Sequence, residues 1–182
     1  MNAKWLALAP VLFFTGCGPD FMSIYPLYND DDLIFVQPIT GTWTHRDGND
    51  TDIWKFKALG DKACELRFDD KDKPVECHLV RLSNYLFLDV SDQNLGETGI
   101  RGHQFFQVEI EADTLRVSPI DEKWLRTELE TNNALDHERV RDGKEEKVVI
   151  RASTRDLQAF LLNHARDPQA FPEWIAFTRT TG

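Results

Sequence analysis

Between Leu33 and Pro119 the sequence breaks into short runs closed by turn-forming residues, most of them alternating apolar and polar residues and two, Leu33–Val36 and Tyr85–Val90, apolar. Alternation at period two places one set of side chains on one face of a strand, and short turns join antiparallel neighbours. A helical bundle or a parallel α/β sheet is therefore excluded for this stretch, because parallel strands need long crossovers. The runs are Leu33–Val36, Gly41–His45, Ile53–Ala58, Ala63–Phe68, Val75–Leu79, Tyr85–Val90, His103–Glu111 and Thr114–Pro119. Asp47-Gly48 falls between the second and third runs and is a hairpin signal, since both residues tolerate positive φ. Ala112-Asp113 joins the last two runs, and Ser91–Gly102, glycine-rich and without period, reads as a loop.

One hairpin fixes its own register. In Ala63–Phe68, Cys64, Leu66 and Phe68 share a face, as do Val75, Cys77 and Leu79 in the run that follows, with turn formers between. Pairing Phe68 with Lys73 sets Leu66 opposite Val75 and Cys64 opposite Cys77. Directly cross-strand cysteines on one face lie at a spacing that suits a disulfide, so Cys64–Cys77 is expected to be one.

After Asp121 the period changes. Trp124, Leu125 and Leu129 fall at helical spacing behind acidic first-turn residues. Ser153-Thr154-Arg155-Asp156 has the form of a capping box opening a second helix, Ser153–Arg166, with Leu157, Phe160, Leu161 and His164 on one face. Between the helices, Asn132–Glu146 is polar and reads as a loop, and Val148–Arg151 as a short strand. Trp174–Thr178 reads as a closing strand over a sheet edge. The expected fold is α+β and β-rich, an antiparallel sheet closed as a sandwich or partly open barrel and carrying two C-terminal helices.

The N-terminus belongs to a different kind of segment. Lys4 precedes an apolar run from Trp5 to Phe14, and Thr15 and Gly16 lead into Cys17. That is the layout of a secretory signal peptide, and the run is too short to cross a bilayer, which needs about 20 residues. Phe14-Thr15-Gly16-Cys17 resembles the lipobox of bacterial lipoproteins, which implies lipidation of Cys17 as the first residue of the mature chain. Gly18 follows where an inner-membrane retention signal would place Asp, so the resemblance implies the outer membrane. The chain is read as a signal peptide over 1–16, a lipidated tether over 17–32 and one β-rich domain over 33–182. The tether carries an aromatic patch, Phe21, Tyr25 and Tyr28, able to fold back on the domain. With Cys17 acylated, Cys64 and Cys77 are the remaining pair in an oxidising compartment.

The formal charge of −10 argues against nucleic acid, whose phosphates need a basic surface. Membrane attachment is assigned to the lipid anchor, because no polybasic patch is present. His45, His78, His103, His137 and His164 show no metal-ligand spacing. His78, on the polar face of its strand, and His164, on the apolar face of its helix, read as solvated or satisfied side chains. Asp47, Asn49, Asp50 and Asp52 crowd one turn, but without the spacing of an EF-hand loop they read as caps on their own backbone. No metal, cofactor or catalytic residue is assigned, for the sequence carries no nucleophile or phosphate-loop motif.

Gly41-Thr42-Trp43 resembles the Gly-x-Trp that lipocalins carry near the start of the first barrel strand, where the tryptophan closes the base. The resemblance covers these three residues and the strand count, and it implies a calycin-like barrel. The whole-chain pattern looks like that of small bacterial lipoproteins, a likeness that implies a location and no chemistry. The leading expectation is an envelope lipoprotein acting as a non-enzymatic binding or structural module. A lipocalin-like carrier of a small apolar ligand is the alternative, and an envelope hydrolase, which needs a His–acid pair or clustered carboxylates in a cleft, the third.

Overall fold

The computed structural model describes residues 21–68, 73–95, 100–142 and 145–180. Its strands are β1 (Phe21–Ser23), β2 (Gly41–Asp47), β3 (Asp50–Ala58), β4 (Cys64–Arg67), β5 (Val75–Leu82), β6 (Tyr85–Leu95), β7 (Ile100–Glu111) and β8 (Thr114–Pro119). Then follow helix α1 (Glu122–Asn132), β9 (His137–Asp142), β10 (Glu145–Ile150), helix α2 (Thr154–His164) and β11 (Ile175–Thr180).

The hairpins read from the sequence form in their expected pairings. β2 and β3 pair to Asp47↔Asp50 around Gly48-Asn49, with Gly48 at φ 57 as a two-residue turn with glycine first requires. β4 and β5 pair with Leu66↔Val75 and Cys64↔Cys77. β7 and β8 close at Glu111↔Thr114. The meander from β2 to β8 becomes an eight-stranded antiparallel closed barrel through two non-local pairings. β11 inserts between β2 and β8, and β6 pairs with both β5 and β7. At the N-terminal end of β7 the sheet branches into β1, β10 and β9, with β1 and β10 parallel.

The barrel separates two cores. Inward residues Trp43, Trp54, Phe56, Leu66, Leu79, Leu88, Phe106 and Phe177 fill the interior, capped at the base by Val36 and Ile39. The other face of β5, β6 and β7 presents Val80, Phe87 and Phe105 to Leu125 and Leu129 of α1 and to Leu157, Phe160 and Leu161 of α2. Both helices begin as their sequences specify, with Asp121 accepting from Trp124 N and Ser153 from Asp156 N. The Ser153 hydroxyl also donates to the Asp156 carboxylate and holds it below the usual aspartate range.

Four expectations are corrected. Residues 21–32 belong to the folded body: Phe21, Met22, Ser23 and Leu27 are buried, because β1 completes a sheet and the chain then crosses the outer core. Leu33–Val36 is no full strand. β4 starts opposite Cys77, leaving the β5 backbone beyond it open, and this segment satisfies it through Ile34 N to Leu79 O and Arg81 N to Asp32 O before turning under the barrel. Within Ser91–Gly102, residues 91–95 and 100–102 extend β6 and β7, whose backbones pair whatever their side chains. Asn132–Glu146 contains β9 and the start of β10. That hairpin is tied by charge, with Arg139 at 3.0 Å from Glu146 and 2.7 Å from Glu130.

Candidate functional site

At the base of the barrel the Gly41-Thr42-Trp43 segment opens β2, and Trp43 is fully buried, donating from Nε1 to Ile39 O at 2.7 Å. The Arg179 guanidinium from β11 lies 4.1 Å over the indole and donates to Pro38 O at 2.8 Å and to Thr40 O at 2.5 Å. Gly41 holds φ 123, a backbone conformation that L side chains rarely adopt, and a Cβ there would stand 2.9 Å from Arg179 Nη1, so the position favours glycine. One residue thus fastens the segment under the barrel to its last strand.

Directly opposite Trp43 in the β2–β3 pair, Trp54 contacts Phe177 of β11 and Phe68, with ring centroids at 4.7 and 5.2 Å, and Phe106 of β7 at 6.3 Å. β3 and β7 stand four positions apart around the ring in either direction. Trp54 and Phe106 therefore meet across the full lumen, and side chains occupy the barrel at that level. Cys64 and Cys77, fully buried in the same interior, are joined as a disulfide with Cα atoms 5.0 Å apart.

The outer face of β5–β6–β7 carries a second arrangement, and it is polar. Register sets His78 opposite Asp89, and Ser91 opposite His103, whose other neighbour is Ser23 of β1. Asp89 is 0 % exposed, His103 8 % and His78 7 %. Residues 24–34 cross over them. The Asp89 carboxylate accepts from Leu27 N at 2.7 Å through Oδ2 and stands 2.7 Å from His103 Nδ1 through Oδ1. The Tyr28 ring covers His78, centroids 4.5 Å apart. Glu76 lies 3.5 Å from His78 Nε2, while Nδ1 is buried with no hydrogen-bond partner among the described residues. Burial holds the His78 imidazole below the ordinary histidine range, against the pull of Glu76 and Asp89.

His78 is thus buried and not solvated, with Glu76 beside one ring nitrogen and no partner for the other among the described residues. The polar face of its strand is covered by the crossing segment, so polarity did not mean water. Asp89 and His103 went unassigned in the sequence, although a lone carboxylate in the apolar run Tyr85–Val90 was a signal that it had a partner. Asp89 orients His103 as a carboxylate orients a general base, but the pair lies beneath the Leu27 backbone and not at an open cleft.

The remaining histidines lie apart from this cluster. His45 Nδ1 is 2.9 Å from Ala176 O, His137 Nδ1 is 2.9 Å from Leu135 O, and His164 packs on Trp124 and Phe160 at 4.9 and 4.8 Å. Among the described residues no group of three or more His, Cys, Asp or Glu side chains is placed to hold a metal ion, and no helix is long and apolar enough to cross a membrane. Cys17 lies outside the described residues. The chain matches no protein-family model, no curated protein and no solved structure.

Proposed function

We propose that this protein is a cell-envelope lipoprotein, anchored in the outer membrane through acylated Cys17, whose barrel is a non-enzymatic binding or support module. The observation that carries the reading is the Phe14–Cys17 lipobox followed so closely by a folded body. Three residues separate Cys17 from Phe21, a reach of roughly 14 Å when extended, so the anchor would hold the body close to the head groups. The outward residues of β2, β3 and β4 include Thr42, Thr44, Lys55, Lys57, Glu65 and Arg67. On these strands a polar exterior over an apolar interior inverts the pattern of a membrane-spanning barrel, and an attachment to the membrane is then left to a lipid.

A calycin-like carrier is the second reading. The closed eight-stranded barrel and the Trp43 base favour it, whereas Trp54 across the lumen counts against a deep ligand chamber. The hydrolase reading draws only on the covered Asp89–His103 pair.

Fractionation of cells producing the wild type and Cys17→Ser tests the anchor. The wild type is expected in outer-membrane fractions with the mass of an acylated N-terminal cysteine, and Cys17→Ser as an unprocessed or released form. A Cys17→Ser protein that stays in membranes at mature size would overturn the reading.

A further inference from the structure

We propose that His78, Asp89 and His103 form a proton-sensitive clasp that holds residues 24–34 on the barrel at neutral pH and loosens them in mild acid. The inference stands on the described residues and does not depend on lipidation. The crossing segment is fixed at several points: Thr154 donates to Pro26 O at 2.8 Å, Gln158 to Leu27 O at 2.9 Å, and Leu27 is fully buried. The Leu27 amide is tied in addition to the Asp89 carboxylate, an acceptor on the barrel that lies beside a second group able to claim it, His78. Asp89 stands directly opposite His78 across the β5–β6 pair, so the acceptor of the Leu27 bond faces an imidazole whose burial disfavours the proton while the segment is closed.

The groups around His78 are Glu76 on its own strand, Asp89 on β6, His103 on β7 and Tyr28 on the crossing segment. On that segment Asp30 and Asp31 are exposed, and Asp32 accepts from Asn29 and Gln158. Protonation would give His78 two N–H donors, one facing Glu76 and the other, at Nδ1, without a described acceptor. Two responses relieve this: Asp89 turns from the Leu27 amide toward the imidazolium, or Tyr28 lifts and admits water. Both detach the same segment. The sign follows from burial. The closed form disfavours the proton and the open form does not, so opening takes up a proton and grows as pH falls below the ordinary histidine value of about 6.5.

Amide hydrogen exchange of the full chain, corrected for intrinsic rates, reads this at pH 7.5 and 5.0. Opening of residues 24–34 is expected to rise by up to about 30-fold, the limit for a histidine that titrates only when open. Interior strand segments 53–58 and 104–110 should keep their protection. His78→Phe retains a ring under Tyr28 and removes the titration, so its crossing segment should exchange alike at both pH values, and His78→Gln repeats the test should the phenylalanine disturb folding. An unchanged segment in the wild type, an equal loss in the interior strands, or the same pH response in the variants overturns the clasp.

Discussion

Cys64 and Cys77 show what a single residue can owe to register. Both face the barrel interior, and their meeting depends on the turn between β4 and β5, since a slip of one residue would send one thiol outward. The bond spans a sequence separation of 13, and the chain-entropy estimate for such a loop is about 3 kcal/mol. Mass spectrometry of exported protein under non-reducing conditions is expected to find no alkylatable thiol at either position until the protein is unfolded and reduced. Two free thiols in the folded sample would refute it. Cysteine pairing was legible because both partners alternate on the apolar faces of strands that follow one another in the chain. The Asp89–His103 pair was not, although its strands also neighbour one another. Its partners lie on either side of a hairpin whose arms had read as a loop, and its burial comes from Leu27, distant in sequence.

At the scale of elements, the helices were legible and the charged hairpin was not. Both helices carry their own instructions: a side chain that caps the first turn, and apolar residues at three- and four-residue spacing. In α2 this places Leu157, Phe160 and Leu161 on the outer face of β5–β6–β7, with Phe160 also stacking on Trp124 of α1 at 5.7 Å. Leu161→Ala should therefore lower stability in denaturant melts by about 2–5 kcal/mol, the cost of a buried leucine and the cavity it leaves. A change below about half a kcal/mol, as at a surface position, would place this face in solvent and make it a docking surface instead. β9 offers no comparable signal. His137–Asp142 contains one apolar residue, Val140, and that residue is exposed. The strand is specified by its ladder with β10 and by Arg139 and Arg151 reaching Glu146 and Glu138, and a ladder leaves no trace in hydrophobic periodicity.

For the whole molecule, the β-rich α+β class followed from alternation, but a closed barrel could not be told from a sandwich. Both use the same hairpins, and the difference lies in where the ends join: β11, the last strand, sits between β2 and β8 and closes the ring. Closure then determines what the interior can hold. An eight-stranded ring is wide enough either for packed side chains or for one small ligand. Here Trp54 reaches Phe106 on the opposite wall, with Phe177 and Phe68 beside it. Titration with an uncharged apolar fluorophore such as N-phenyl-1-naphthylamine should accordingly give no saturable binding to the wild type at micromolar concentration. Trp54→Ala removes the largest side chain across that level, so it should cost about 3–5 kcal/mol in stability. The cavity it leaves is lined by apolar groups, which is the kind of space that stays dry and accepts small apolar molecules. The variant should thus acquire fluorophore binding that the wild type lacks, and the added ligand should recover part of the lost stability by binding only the folded form. Saturable micromolar binding to the wild type would reverse the assignment, because the aromatic side chains would then have to move aside for a ligand and the carrier reading would take the place of the packed module.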